Sequence, residues 1–257
     1  MRGARSSTIA AATPRWSGDG EMSSLLTPPR RRGFEILDDP KVDDELRARS
    51  LADVARSNTM FGGSRAVLAE LASVLGESKA TSVSLLDVGT GIGDIPALAA
   101  ATWRARGVEI TPFGIDISPY LLHDARAKGL IPVCADALAL PIATKSVDIV
   151  ICSQTLHHFE ARDAIAVVRE LDRVARVRVI VSDIRRSWLA AAGIWLASYP
   201  LHFHPVSRHD GVVSVLRGFT PVELKELVRS ATAQTAVARR RVGFRTTASW
   251  VPRALAA

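Results

Sequence analysis

Cysteine is scarce in this 257-residue chain: Cys134 and Cys152 are the only two, with no C-x-x-C pair and no Cys/His cluster at ligand spacing. A disulfide framework is excluded, no metal site is indicated, and a reducing, cytoplasmic setting is expected. No apolar run reaches the roughly 20 residues that span a bilayer as a helix. The longest, Trp188 to Leu201, has 14 nearly uninterrupted apolar or small residues. Such a segment suits a buried cap helix or an interfacial one, so no transmembrane segment is expected and peripheral membrane contact stays open. Aromatic residues make up only 5% of the chain and do not interleave with basic ones. The formal net charge of +7 is also unevenly placed: six arginines against Asp19 and Glu21 put +4 into residues 1–32 and leave +3 for the rest. A nucleic-acid groove needs clustered charge and stacking aromatics, so nucleic acid is not expected as a partner.

What the chain does have is LLDVGTGIGDIP, Leu85 to Pro96. A buried apolar run carrying an acid ends in Gly89, Gly91 and Gly93, which predicts a strand, a tight turn without Cβ atoms, and a helix presenting its N-terminus to a ligand. The G-x-G-x-G spacing is not the dinucleotide G-x-G-x-x-G, and the Lys-Ser/Thr of a P-loop is missing. A nicotinamide oxidoreductase is therefore disfavoured. Further along, GIDIS (Gly114 to Ser118) puts Asp116 at the end of a second apolar run, where an acid can hold two ribose hydroxyls. CADALALPI (Cys134 to Ile142) places Asp136 at the end of a third, and SVDIVICSQTLHHF (Ser146 to Phe159) is a fourth that breaks into a histidine-bearing loop.

In this order and near this spacing, the four motifs resemble the class I S-adenosylmethionine (AdoMet)-dependent methyltransferases, in particular the small-molecule, ubiquinone-biosynthesis-like type, over roughly Val83 to Val251. A bacterial subgroup that tailors aromatic polyketides and lipids is similar in its N-terminal helices and RHDG segment. The resemblance implies a Rossmann-like α/β fold with a seven-stranded, mostly parallel sheet, a C-terminal antiparallel hairpin and a helical cap. It also implies AdoMet as cofactor. Gly89, Gly91 and Gly93 would face its methionine moiety, and Asp87 would orient the loop or meet the amino group. Asp116, with Ile117 beside it, would hold the ribose. Asp136 would take the adenine amine, Ala137 would offer a backbone N–H, and Ser153 would be a further cofactor-binding residue. Carboxylates suit a cofactor that offers a diol, an exocyclic amine and an ammonium, although strand-end Asp residues also cap helices.

The first 33 residues are rich in Ser, Thr, Pro, Gly and Arg and show no periodicity, so they are expected to form a disordered extension. Their acid-poor start slightly suggests a transit peptide, without the apolar region of a secretion signal. Met22 is an alternative start. Residues 34–80 carry two helical stripes, Asp43 to Asn58 and Ser64 to Leu75, separated by Phe61-Gly62-Gly63, and are expected to pack on the sheet edge or cover the site. Residues 81–257 would form the catalytic domain. Strands are expected near 83–88, 110–116, 131–135, 147–152 and 177–183, and helices near 94–105, 118–128 and 160–173. That alternation predicts a parallel sheet with its ligand site at the strands' carboxyl ends. A cap insertion is expected near 185–218, a Thr-Pro-initiated helix over 219–231, and strands over 235–241 and 244–251.

Methyl transfer to a proton-bearing nucleophile needs alignment, a dry site and a base. The candidates are His157 and His158 after the fourth strand and His209 in the RHDG segment, Arg208 to Gly211, with His209 favoured for proton transfer and the other two for alignment. The bland reading of RHDG is a surface turn. Asp183, Arg185 and Arg186 end the fifth strand, where an anion-recognising, lid-anchoring or merely solvated role is open. His202 and His204 flank Phe203 and are candidates for the same pocket. The apolar cap favours a hydrophobic or aromatic small-molecule acceptor methylated on oxygen, with carbon methylation or a non-catalytic AdoMet-binding module as alternatives. No Asn-Pro-Pro-Tyr-like segment follows the fourth strand to suggest a protein substrate.

Overall fold

A computed structural model describes residues 26–31, 33–39 and 41–254. Residues 1–25, which hold most of the expected N-terminal extension and Met22, lie outside the described residues.

Two helices come first, α1 (Asp44–Met60) and α2 (Gly63–Gly76). There follow β1 (Ser82–Val88), α3 (Asp94–Arg104), β2 (Glu109–Asp116), α4 (Pro119–Ala127), β3 (Ile131–Cys134) and β4 (Val147–Ser153). The chain continues through α5 (Ala161–Val174), β5 (Ala175–Ile184), α6 (Trp188–Ala197), α7 (Pro205–Arg217) and α8 (Pro221–Thr232). It closes on β6 (Val237–Arg241) and β7 (Arg245–Trp250). The seven strands form one sheet in the order β3-β2-β1-β4-β5-β7-β6. Strands β1 to β5 pair in parallel, while β7 runs antiparallel to both β5 and β6. This is the expected architecture, seven strands and terminal hairpin included.

The sheet's centre explains the apolar runs. Leu85, Leu86, Val150, Ile151, Val179 and Ile180 are wholly or almost wholly removed from solvent, because a parallel strand covered by helices on both faces needs apolar side chains on both. One layer packs α2 and α3 on the sheet through Val67, Leu71, Ile95 and Ala99; the other packs α5 and α8 through Val167, Leu171, Leu224 and Leu227. Thr220 caps α8, accepting from the Glu223 N–H while the Glu223 carboxylate accepts from the Thr220 N–H, so the Thr-Pro signal marks the helix start it was expected to mark.

Two sequence expectations need correction. The RHDG segment is no turn: Arg208 to Gly211 lies inside α7, capped by His204. Nor does the folded part begin at residue 34. The Pro28 carbonyl accepts from Arg186 Nε at 2.6 Å, Arg30 Nε donates to the Arg217 carbonyl at 2.7 Å, and the Arg31 N–H donates to the Leu216 carbonyl at 3.2 Å. The Arg30 side chain and the Arg31 backbone, both in the stretch that looked unstructured, donate to carbonyls of the insertion instead.

A truncation series separates the two parts. Removing residues 1–21 leaves the melting temperature and cofactor binding unchanged. Removing residues 1–38 strips partners from the buried Arg186 and from Asp210, whose oxygens accept from the Ile36 and Leu37 N–H groups at 2.9 Å each. Losing hydrogen bonds to buried charged groups costs on the order of 1.5–3 kcal/mol each, together roughly 10 °C for a chain of this size. Equal melting curves for the two truncations would refute this account.

Candidate active site

One large cavity, about 1030 Å³, opens at the carboxyl ends of the parallel strands. Single-ligand pockets run to roughly 300–1,000 Å³, so this one has room for two ligands. Its floor is the loop after β1. The Gly89 and Thr90 N–H groups both donate to the Ile115 carbonyl, at 2.8 and 2.9 Å, which ties the loop to the end of β2. Gly89 has φ +74°, and a Cβ there would lie 2.2 Å from Thr155 Oγ1. Only glycine lets the loop after β1 touch the loop after β4.

Asp87 sits beneath this floor, 2% exposed. Thr90 Oγ1 donates to its Oδ2 at 3.0 Å, while Oδ1 is buried without a partner. Burial pushes this carboxyl well above the usual range, and Asp94 and Asp116 push the same way. A buried carboxylate oxygen with no donor costs free energy, and a donor on a bound ligand would offset that cost.

Asp116 braces the floor. The Gly91 N–H donates to its Oδ2 and the Ser118 N–H to its Oδ1, both at 2.9 Å. Each oxygen keeps a lone pair for a ligand hydroxyl. Ile117 beside it is 72% exposed and lines the cavity, as do Asp136, Ala137 and Ser153. Asp136 Oδ1 accepts from the Leu138 N–H at 2.9 Å, and Ser153 Oγ is buried without a partner. Gly91 lines the cavity as well, but Gly93 does not: it is the N-cap of α3, and a Cβ there would lie 2.8 Å from Leu130 Cδ2.

The opposite wall holds the titratable groups. After β4 the chain makes a short 3-10 turn, Leu156–His158, that delivers both histidines. The buried Asp183 at the end of β5 grips His157 twice: the backbone N–H donates to Oδ2 at 3.0 Å, and Nδ1 lies 2.7 Å from Oδ1. A carboxylate can only accept, so a proton is assigned to Nδ1, and in the neutral ring Nε2 carries the lone pair. Nε2 is buried without a hydrogen-bond partner, and His157 lines the cavity. Burial works against charge on Asp183, yet His157, the Ile184 N–H and His158 together hold its carboxyl below the usual range.

Glu35 comes to the same place from the N-terminal segment. One of its oxygens lies 3.9 Å from His157 Nε2 and the other 3.8 Å from His158 Nδ1. Asp38 adds a carboxylate 3.3 Å from His158 Nδ1. Burial opposes charge on His158, but Asp38 and Glu35 outweigh it and raise the imidazole's pKa. Sequence reasoning missed Glu35, Asp38 and the Asp183–His157 pairing, because 122 residues separate Glu35 from its imidazole partner and no local pattern signals such a contact.

The other candidates fall elsewhere. His209 is not on the cavity wall; its side chain is 52% exposed, and its Nδ1 lies 2.8 Å from Asp210 Oδ1. Sequence neighbours do meet here, but Asp210 is spent on the Ile36 and Leu37 N–H groups. His202 and His204 are off the wall, while Phe203 is on it. Arg186 is no anion receptor: it donates to the Pro28 and Gly218 carbonyls and to the Glu223 carboxylate, anchoring the insertion. That insertion roofs the cavity. Ala190, Gly193 and Ile194 of α6 and Ser207, Gly211, Ser214 and Val215 of α7 face inward, while Leu189, Trp195 and Leu196 are exposed on α6.

The sequence profile of a family described as a methyltransferase domain matches residues 86–181. Residues 86–181 are a methyltransferase domain. The chain is also 32% identical over 133 residues to a demethylmenaquinone methyltransferase of Roseiflexus sp. (strain RS-1), a match covering 46% of this chain and 55% of that protein. It thus spans little more than half the length of that relative. Among solved structures, a magnesium protoporphyrin IX methyltransferase from Synechocystis PCC 6803 aligns with a TM-score of 0.51 at 14% identity, over 85% of this chain and 89% of that one. A plantazolicin methyltransferase aligns with a TM-score of 0.58 at 17% identity, over 76% and 72%. At such identities the likeness is one of fold. The methyltransferase domain supplies the floor loop, Asp116 and the histidine pair; Glu35, Asp38 and the α6–α7 roof lie outside the matched residues.

No helix among the described residues is long and apolar enough to cross a membrane.

Proposed function

We propose that the protein transfers a methyl group from AdoMet to oxygen on a small apolar or aromatic acceptor. The observation that carries this is the unpartnered Asp87 oxygen under a glycine floor, sharing one cavity with an unpartnered imidazole nitrogen. Asp87 would receive the cofactor's ammonium, Asp116 its ribose hydroxyls and Asp136 its adenine amine, with Ile117 and Ala137 against the ring and Ser153 closing the floor. AdoMet supplies an electrophilic methyl on a sulfonium. The residues around it have three tasks: to align the acceptor, to keep water out and to take a proton.

The roof serves the first two. Apart from Asp210, which accepts from the Ile36 and Leu37 N–H groups, its inward side chains are small or apolar, which leaves room for a flat or branched hydrocarbon and offers it few hydrogen bonds. The third falls to the patch formed by Glu35, Asp38, His157 and His158, where an acceptor hydroxyl would find lone pairs on imidazole and carboxylate. His209 is not among the residues that line the cavity, so the base role expected from sequence passes in this reading to His157, with His158 beside it. The relative that acts on demethylmenaquinone supports an apolar ring as acceptor. Cytoplasmic location belongs to the same reading.

Calorimetry tests the cofactor half. AdoMet and its demethylated product bind the purified protein and NAD does not. Tight NAD binding without an AdoMet signal would overturn the proposal.

A further inference from the structure

The polar patch has a second property that methyl transfer to an apolar acceptor does not require. Glu35, His157 and His158 each bring one donor atom to within 4.8 Å of the other two, with His157 Nε2 and His158 Nδ1 the ring nitrogens that face the Glu35 carboxylate. We propose that these three side chains bind one divalent d-block cation, of the zinc or cobalt(II) kind, with an open position facing the cavity.

Three features of the structure argue for it. His157 Nε2 is a buried lone pair with no donor to satisfy it, an arrangement that costs free energy until something electrophilic arrives. The opposite nitrogen is fixed by the Asp183 carboxylate at 2.7 Å, and metal-bound imidazoles are oriented by just such a partner. The carboxylates are braced from behind as well. Arg217 Nη1 donates at 3.0 Å to Glu35 Oε1 and at 3.0 Å to Asp38 Oδ2, and Ser214 Oγ donates to Glu35 Oε1 at 2.9 Å. Glu35 Oε2 and Asp38 Oδ1 are left turned toward His158.

The donor set decides the kind of ion. Two imidazoles and a carboxylate favour zinc, cobalt or a similar d-block ion over magnesium or calcium, which prefer all-oxygen shells. Zinc bonds of about 2.0–2.2 Å put tetrahedral donors roughly 3.4 Å apart. Donor atoms that lie within 4.8 Å of one another therefore close by up to about 1.4 Å on binding, a movement that the partly exposed His158 can supply. Methyl transfer gives the open position its use, as a place for the acceptor oxygen; binding of the ion does not depend on that reading.

The test uses full-length protein dialysed against a chelator and titrated with cobalt(II) alone, without AdoMet, followed by visible absorption and, for zinc, by calorimetry. One equivalent is expected to bind with ligand-field bands of a low-coordinate site. His157→Ala and Glu35→Ala weaken binding 100-fold or more, and Asp183→Asn, which acts through His157, weakens it about 10- to 100-fold. His158→Ala, near the rim and the least disruptive to the fold, must also weaken it, whereas His123→Ala on the exposed face of α4 must not. Absence of one-equivalent binding, or binding equally tight in His157→Ala and His158→Ala, overturns the proposal. Cobalt binding in a protein that fails to bind AdoMet would instead overturn the methyl-transfer reading and leave the metal site standing.

Discussion

Replacing Asp87 with Asn lowers AdoMet affinity by about 30- to 150-fold and, in the cofactor-free protein, raises the melting temperature. The two effects have one origin. Asp87 Oδ1 is buried without a partner, and burial holds its carboxyl well above the usual range. A hydrogen bond between such a carboxylate and an ammonium contributes about 2–3 kcal/mol to binding. Without the cofactor the same carboxylate is a liability that an amide of equal size removes. Linkage fixes the sign of the pH dependence. An acid whose folded pKa is raised holds its proton longer in the native state than in the unfolded one, so its contribution is fully present below the unfolded pKa. Stability then falls as pH climbs from the ordinary carboxylate range through the raised value. Melting curves across that window should decline in the wild type and flatten in Asp87→Asn. Parallel curves, or unchanged AdoMet affinity, would show that Asp87 is a structural acid and not the ammonium site.

The difference between what was legible in the sequence and what was not has a physical basis. Strand β1 and its glycine floor were legible because burial on both faces of a parallel sheet favours a largely apolar run such as Leu85, Leu86 and Val88, and a turn packed against Thr155 demands glycine. The roof was legible as an insertion from the 14 apolar or small residues between Trp188 and Leu201, but not its fine structure. Arg208 to Gly211 continues a helix, and its Asp210 turns inward to accept from two backbone N–H groups on a segment more than 170 residues away. Glu35 was invisible for the same reason. Phe34, Ile36 and Leu37 beside it form no motif, and its surroundings are set by Arg217, Ser214 and the histidines that reach it only in three dimensions. Chemistry carried by a local turn shows in the sequence; chemistry assembled from distant chain segments does not.

His157→Ala provides the sharpest test of the catalytic wall. The substitution removes the Nε2 lone pair, whether that atom takes the acceptor's proton or holds a cation, and it leaves the glycine floor and Asp87 in place. Loss of a positioned acid–base group typically costs 10²- to 10⁴-fold in rate, so turnover of a responsive phenolic or quinone-type acceptor should fall by about that factor while AdoMet affinity measured by calorimetry stays within twofold. His209→Ala serves as the matched control. Its ring is half exposed and off the cavity wall, so both turnover and affinity should remain near wild type. The decisive measurement is turnover of labelled AdoMet against phenolic, quinone and fatty acceptors for the three proteins, with thermal melts to confirm folding, since only a fall in turnover at constant affinity reports on chemistry. If His209→Ala loses turnover while His157→Ala keeps it, the base enters from α7 and the wall built by Asp183, His157 and Glu35 is structural. If both variants turn over normally with an acceptor that must lose a proton, alignment in the dry cavity is sufficient, and neither the imidazole nor a metal bound to it takes part in the reaction.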